Sequence, residues 1–113
     1  MNRTEHILTV LGEEGGEVAK ETSKALRFGL LDQVPMNPNG PRGTEGPTIA
    51  DKIAAEFIDM LGAYQMAVND GLVVDIGLDA LPESIRELMK KKIEKVESFM
   101  VYAQRVGALE NTN

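Results

Sequence analysis

The sequence lacks several residue types on which common functional sites depend. Its 113 residues include no cysteine and no tryptophan, and His6 is the one histidine. Without cysteine the chain forms neither disulfides nor thiolate metal sites. A di-iron carboxylate bundle requires Glu-x-x-His elements, which a single histidine cannot supply. Two frequent classes of metal protein are therefore excluded.

Long apolar runs are also missing. No stretch approaches the ~20 residues that a membrane-spanning helix needs, and the first ten residues, MNRTEHILTV, lack the apolar core of a signal peptide. The net charge is −6, divided as +3 in residues 84–106 and −9 in the remainder. Because this field repels duplex nucleic acid, we expect a cytoplasmic protein that binds neither nucleic acid nor membrane.

The composition is otherwise that of a folded domain. Hydrophobic residues make up 42% and charged residues 27% of the chain, as is usual for globular proteins. A chain of this length forms one domain and buries a modest core by itself. We therefore expect residues 1–113 to form a single domain that gains stability from a partner subunit.

Hydrophobic periodicity predicts three helices. Apolar residues recur at three- and four-residue steps in each of three segments, and residues that favour helix ends bound them, such as the N-cap Thr48 with Asp51 three positions later. The predicted helices span about residues 3–28, 48–69 and 82–106, with a turn or short helix at 72–80. The fold class is therefore expected to be all-α.

A segment rich in proline and glycine separates the first two helices. Residues 29–48 contain four of the five prolines and four of the eleven glycines. Loops of this length inside a compact domain are unusual, and many of them are lids or binding loops. A tolerated surface insertion explains the composition equally well.

Acidic residues occupy matching positions on the first two helices. At about 100° per residue, Glu14 lies within the apolar stripe of the first helix and Glu17 lies at its edge. Glu56 and Asp59 take the same two positions on the second helix. Residues at i and i+3 face the same way, so antiparallel packing of the helices would bring four carboxylates together.

Such a cluster requires a neutralising charge, since a buried carboxylate costs several kcal/mol. None of the twelve basic residues lies at the centre of either apolar stripe. A divalent cation is the simpler neutraliser, and oxygen ligands favour Mg²⁺ or Mn²⁺. Gly15 and Gly16, between the acids, would let a helix or a ligand approach the backbone. The alternative is that the acids face solvent, as most glutamates do.

These acidic motifs resemble those of a known family. EEGGE (residues 13–17) followed by EFID (residues 56–59) is similar to the EExxE…ExxD signature of the MazG-like all-α nucleoside triphosphate pyrophosphohydrolases. The resemblance covers roughly residues 3–100. It implies a helical bundle completed by homo-oligomerisation, as a dimer or a tetramer. The implied substrate is a nucleoside triphosphate, which is hydrolysed to the monophosphate and pyrophosphate.

The resemblance also implies roles for individual residues. Glu13 or Glu17 would accept the proton of the attacking water. Mg²⁺, or Mn²⁺ in its place, would be held by Glu14, Glu17, Glu56 and Asp59. The family's third helix carries a Lys-x-x-Lys-Asn element that contacts the phosphates and the sugar. This chain keeps Lys92 and Lys95 as phosphate-binding candidates and has Val96 in place of the asparagine.

The sequence also offers further candidate residues and alternative functions. Arg42, near the middle of the 29–48 loop, is expected to bind phosphate if that loop closes over the nucleotide. Phosphoribosyl-ATP hydrolysis is an alternative reaction within the family, and a non-catalytic oligomeric helical adaptor is an alternative outside it. His6 lies on the Glu13 side of its helix and is a candidate neighbour of the site. The aromatic residues are expected mostly to fill the core.

Overall fold

The all-α prediction is confirmed by the computed structural model, which describes residues 1–33 and 46–110. Three long helices occur there: α1 (Arg3–Phe28), α2 (Ile49–Asn69) and α3 (Glu83–Arg105), with a short 3₁₀ turn at Leu78–Ala80. These described residues form no β-sheet and contain one isolated bridge, between Gln33 and Thr48. No described helix is both long enough and apolar enough to cross a bilayer.

Local sequence fixes where the first two helices begin. The Asn2 side chain accepts a hydrogen bond from the Glu5 amide (2.8 Å), and the Glu5 carboxylate accepts one from the Asn2 amide (3.2 Å). Thr48 and Asp51 form the same reciprocal pair at the start of α2. Each pair satisfies two amides that a helix start leaves without partners. α1 ends at Gly29, whose φ of 93° is a conformation that glycine adopts readily.

α1 and α2 pack as an antiparallel pair. At the end of α1, the amide of Ala50 donates to the carbonyl of Leu30, and the amide of Ile49 donates to the carbonyl of Asp32, both at 2.9 Å. These bonds join the two described ends of the 29–48 segment. At the other end of the pair, Arg3 binds Asp70, just beyond α2. The first two helices are therefore held together at both ends.

α3 packs against α2 and runs in the same direction. Lys92 of α3 lies beside Gly62. Further along both helices, Arg3 bridges Glu97 at 2.7 Å and Asp70 at 2.7 Å. The segment that connects α2 to α3 returns along α2, where the Tyr64 hydroxyl donates a hydrogen bond to the Val74 carbonyl (2.6 Å). α2 thus packs against both α1 and α3.

The core is aliphatic. Its main cluster consists of Ile7, Met66, Ala67, Val96, Met100 and Leu109. Leu109 lies beyond α3, in a stretch where periodicity predicted no element. It is held there because the Met1 amino group donates to the Ala108 carbonyl (3.1 Å) and the Glu110 amide donates to the Met1 carbonyl (2.9 Å). The two described ends of the chain therefore close the core.

The expectation that the aromatic residues fill the core is wrong. Tyr64 is half-buried, and Phe28, Phe57, Phe99 and Tyr102 are exposed. α3 approaches α2 closely at Gly62. A Cβ atom added at Gly62 would lie 3.0 Å from the Lys92 Cβ and 3.1 Å from the Met89 carbonyl oxygen. Such a short separation leaves no room for a larger side chain at position 62.

This close contact predicts opposite effects of alanine at two glycines. Gly62→Ala should lower the free energy of unfolding by about 1–3 kcal/mol, because the methyl group overlaps α3. Gly16→Ala should raise it by up to about 1 kcal/mol, because nothing among the described residues lies within 4 Å of that position and alanine favours the helix. Urea denaturation of both variants measures the difference. A Gly62→Ala protein as stable as Gly16→Ala would contradict the packing.

Candidate metal centre

Three carboxylates from two helices converge beside the core. One oxygen each from Glu14, Glu56 and Asp59 lies within 4.8 Å of the other two. The antiparallel packing of α1 and α2 produces this arrangement, because Ile7, Glu14 and Glu21 form the most buried line of α1 and face α2. The prediction that Glu14 belongs to the packed face of its helix is confirmed.

Glu14 is the most enclosed of the three carboxylates. Its relative exposure is 8%. Its Oε1 atom accepts a hydrogen bond from the Lys92 ammonium at 2.5 Å, whereas its buried Oε2 atom accepts none from the residues that the structure describes. A buried acceptor without a donor costs about 1–3 kcal/mol, and more when it is charged. A cation bound among the three carboxylates would remove that cost.

Lys92 modifies the prediction that a divalent cation neutralises the acids. No basic residue lies at the centre of the α1 and α2 stripes, but α3 supplies one from outside them. Lys92 and Glu14 are both only 11% exposed in their side chains. The lysine stem reaches this depth because Gly62 presents no side chain where α3 crosses α2. The cluster is therefore partly neutralised by the protein itself.

The electrostatic environment of Glu56 remains unfavourable to negative charge. Burial is the largest cause that raises the pKa of Glu56, followed by the charges of Asp59, Glu14 and Glu17, while Lys52 lowers it. The repulsion among the acids therefore outweighs the nearby lysine. It also shows that Glu17 lies close enough to affect the centre.

Asp59 is affected in the same direction. Burial raises its pKa most, and Glu14 adds to the increase, while Lys92 and Lys95 oppose it. Glu56 and Asp59 are thus both destabilised as anions despite the lysines near them. A divalent cation would reverse this effect, because it attracts all three carboxylates at once.

The donor set fits a small, hard cation. All three ligands are carboxylate oxygens, which suit Mg²⁺ and Mn²⁺ and offer none of the nitrogen or sulfur ligands typical of zinc. Two ligands on opposite sides of Mg²⁺ lie about 4.2 Å apart, given bond lengths of about 2.1 Å. The three oxygens lie within 4.8 Å of one another, which is near the separation that a shared cation requires.

The other predicted acids lie around this centre rather than in it. Glu17 is half-buried and is not a member of the three-carboxylate group. Glu13 is exposed and lines a groove between α1 and α3. The role of Glu17 as a metal ligand and the roles of Glu13 and Glu17 as bases stay predictions.

The two predicted phosphate-binding lysines border two openings beside the centre. Lys92 and Lys95 line a groove of about 530 Å³ between α1 and α3, which we call the α1–α3 groove. They also line a smaller hollow of about 250 Å³ between α2 and α3, together with Asp59 and Lys91. Arg42 lies outside the described residues, so its predicted role stays a prediction.

Glu21 is a buried acid to which the sequence predictions gave no role. It is 2% exposed, and its Oε1 atom lies 3.2 Å from the Lys24 ammonium and 4.0 Å from that of Lys52. Because the charge of Lys52 also lowers the pKa of Glu56, Glu21 places a lysine ammonium beside the three carboxylates. The seven-residue spacing of Glu21 from Glu14 could have indicated its burial, because this spacing places both acids on one line of α1.

Comparisons of the chain with protein-family models, with curated proteins and with solved structures show no match. Function is therefore inferred from the geometry of the three carboxylates, from the lysines beside them and from the motifs in the sequence.

The convergence predicts stabilisation by magnesium. At a concentration about 100 times the Kd, Mg²⁺ should raise the free energy of unfolding by about 2.7 kcal/mol, measured as an increase in Tm. Asp59→Asn removes one charged ligand and should abolish most of that increase. Glu94→Gln, which neutralises an exposed acid on α3, is the matched control and should retain it. If Mg²⁺ raised the Tm of Asp59→Asn as much as that of wild type, binding of Mg²⁺ at the three carboxylates would be excluded.

The raised pKa values predict how stability depends on pH. The folded protein holds protons on Glu56 and Asp59 at pH values where the unfolded chain has released them. The contribution of these two groups to the stability of the metal-free protein should therefore fall as the pH rises above the ordinary values of 3.8 for Asp and 4.5 for Glu. Protons compete with the cation for these carboxylates, so the increase in Tm caused by Mg²⁺ should grow over the same range.

The measurement is a series of melting curves from about pH 4 to pH 7, with and without Mg²⁺. A double variant, Glu56→Gln with Asp59→Asn, serves as the reference because it lacks both titrating groups. The difference between wild type and this reference isolates their contribution. A magnesium effect on wild type that stays constant across the range would contradict the raised pKa values.

Proposed function

We propose that the protein is a Mg²⁺-dependent nucleoside triphosphate pyrophosphohydrolase of the MazG-like superfamily. The observation that carries the proposal is the convergence of one oxygen each from Glu14, Glu56 and Asp59. The buried Oε2 atom of Glu14 also has no donor among the described residues. Glu14, Glu56 and Asp59 are three of the four acids that the family motif assigns to the metal. Their separation along the chain makes an accidental cluster a poor explanation, because two helices must pack in the correct phase to form it.

The lysines of α3 supply the charge that a triphosphate requires. A nucleoside triphosphate carries about four negative charges, which bound cations and basic side chains must balance. Lys92 already lies at the centre, bound to Glu14, and Lys95 acts on Asp59 through its charge. Both line the openings on either side of the centre. We assign them to the phosphates of the substrate.

In the proposed reaction, the oxygen of a water molecule bonds to a phosphorus atom. The phosphoanhydride bond between the α- and β-phosphates breaks, and the products are a nucleoside monophosphate and pyrophosphate. Magnesium, when bound, would neutralise phosphate oxygens and make the water more acidic. Glu17, close enough to Glu56 to affect its pKa, or Glu13, on the wall of the α1–α3 groove, accepts the proton.

Homo-oligomerisation is part of the same proposal. Leu26 on α1 is largely exposed. Leu8 on the same helix and Phe57 on α2 are each about half exposed. Single exposed apolar residues are ordinary, but these occur on two adjacent helices of a small protein with a limited core. A second copy that covers them would complete a larger helical bundle, as a dimer or a tetramer.

The exposed apolar residues of α3 favour a second candidate function. Leu88 and Val101 on α3, and Val106 just beyond it, are about half exposed, as they would be on an adaptor that binds a partner through this helix. That function does not require the three carboxylates to meet. It also predicts no stabilisation by Mg²⁺, so the melting experiment described above separates the two.

The decisive experiment is an assay of pyrophosphate release. Canonical and modified nucleoside triphosphates and phosphoribosyl-ATP should be tested with Mg²⁺, and at least one of them should be hydrolysed. Glu56→Gln should reduce kcat by about 10²-fold or more, because it removes a ligand charge. Glu94→Gln should retain wild-type activity. Absence of pyrophosphate from every substrate, or full activity in Glu56→Gln, would overturn the proposal.

A further inference from the structure

Glu21 lies one layer beyond the metal centre, and the proposed reaction gives it no task. Its side chain is only 3% exposed, and its Oε2 atom has no donor among the residues that the structure describes. A buried carboxylate is unfavourable unless charges and hydrogen bonds compensate it closely. An amide or an apolar residue would occupy the same position more easily, so the charge itself needs an explanation.

The contacts between α1 and α2 repeat every seven residues. Seven residues of a helix span about 10 Å, and because the two helices are antiparallel, each step forward on α1 matches a step back on α2. The first layer belongs to the aliphatic core, the second is the metal centre and the third is an ion pair. The residues that meet in the three layers are, in order, Ile7 and Met66, Glu14 and Asp59, and Glu21 and Lys52.

Glu21 attracts one lysine from each of the two helices. Its Oε1 atom lies 3.2 Å from the Lys24 ammonium of α1 and 4.0 Å from the Lys52 ammonium of α2. Lys24 donates a hydrogen bond to this oxygen. Lys52 is therefore a second cation at an acid that already has a partner.

Lys52 has another carboxylate within reach on its own helix. Glu56 follows four residues later, and side chains at this spacing are neighbours whose opposite charges attract. In the described part of the chain, however, no ion pair joins Lys52 to Glu56, whereas one joins Lys52 to Glu21. Burial has the largest effect on the pKa of Glu56, and the opposing charge of Lys52 is the weakest of the influences on it. Lys52 therefore lies near Glu56 without binding it.

A direct bond between Lys52 and Glu56 would compete with a metal ion. The ammonium would occupy a carboxylate oxygen that the cation requires, and its charge would repel a divalent ion at close range. We infer that Glu21 is a positioning residue for the metal centre: its buried carboxylate draws the Lys52 ammonium away from Glu56, which stays available as a ligand. The inference rests on the proposed function, because it concerns the same magnesium site.

Glu21 also carries a charge of its own, about 10 Å along the helix from Glu14. At that distance a carboxylate attracts Mg²⁺ directly, with an energy that solvent and salt reduce but do not remove. Loss of this attraction would weaken metal binding whether or not Lys52 moved. The two explanations differ in one respect, since only the positioning role depends on the presence of Lys52.

The test therefore uses two substitutions, alone and combined. Glu21→Gln replaces the carboxylate by an amide of the same shape, and Lys52→Met removes the ammonium but keeps most of the apolar stem. Calorimetric titration of the metal-free full chain with Mg²⁺ alone gives the Kd of each variant. No nucleotide is present, so the result does not depend on hydrolysis.

Glu21→Gln should raise the Kd for Mg²⁺ by about 3- to 10-fold, the effect expected of one ion pair that the cation must break. In the Lys52→Met background the same substitution should change the Kd by less than about twofold, because no ammonium remains to be released. Lys52→Met should therefore rescue metal binding in Glu21→Gln. In crystals of metal-free Glu21→Gln, the Lys52 ammonium should lie within about 4 Å of the Glu56 carboxylate.

Lys24→Gln is the matched control. It removes the other lysine bound to Glu21, and Lys24 is not among the groups that shift the pKa of Glu56 or Asp59. Glu21 keeps Lys52 in this variant, so the Kd should not rise. Melting curves of every metal-free variant establish that its fold is retained.

Each pattern of Kd values decides between the two explanations. Rescue of Glu21→Gln by Lys52→Met, with unimpaired binding in Lys24→Gln, supports the positioning role. An equal rise in Kd with and without Lys52 overturns it and assigns the effect to the charge of Glu21. No rise in Glu21→Gln, or a rise in Lys24→Gln, also overturns it.

Lys52→Met alone provides a second test if Glu21→Gln does not fold. Because Lys52 is held away from Glu56 in wild type, its removal should lower the Kd by less than about threefold. A larger decrease would show that Lys52 already binds Glu56 in solution, which overturns the positioning role.

Failure of the proposed function is separately visible. If wild type binds no Mg²⁺, the metal centre, the hydrolase proposal and the positioning role of Glu21 fail together. If Mg²⁺ binds and the rescue occurs but no triphosphate is hydrolysed, Glu21 has the assigned role and only the hydrolase proposal fails. If hydrolysis proceeds and Glu21→Gln leaves the Kd for Mg²⁺ unchanged, the enzyme proposal stands and only the positioning role fails.

Discussion

The carboxylate of Glu14 is the constraint on which the arrangement of the three helices depends. It lies on the buried line of α1, where a negative charge would oppose the packing of α1 against α2. Lys92 offsets part of that cost from α3, and Gly62 allows α3 to come close enough for the lysine to reach it. One buried acid therefore links all three helices through a single ion pair and a single glycine.

The ion pair leaves the site incompletely neutralised. The pKa values of Glu56 and Asp59 are raised even with three lysines nearby, and one oxygen of Glu14 has no donor among the described residues. Unfavourable electrostatic free energy of this kind persists when the rest of the structure holds the charged groups in place, and it is frequent at functional sites. Here the capping boxes, the Arg3 bridges and the aliphatic core hold the helices in position.

Aliphatic and aromatic residues occupy different parts of the structure. Methionine, isoleucine, valine, alanine and leucine fill the core between the helices, whereas four of the five aromatic rings are exposed. Two of these rings, Phe99 and Tyr102, lie along the groove between α1 and α3.

The sequence by itself determined the helices and the two pairs of acids. Capping boxes and 3.6-residue periodicity are local properties, so the ends of α1 and α2 and the inward phase of Glu14, Glu56 and Asp59 could be predicted from spacing. Only the tertiary structure decided that Lys92 reaches Glu14, that Glu17 stays outside the three-carboxylate group and that Leu109 completes the core. Those contacts depend on the distances between helices and on the path of the chain beyond them, which periodicity within one helix does not specify.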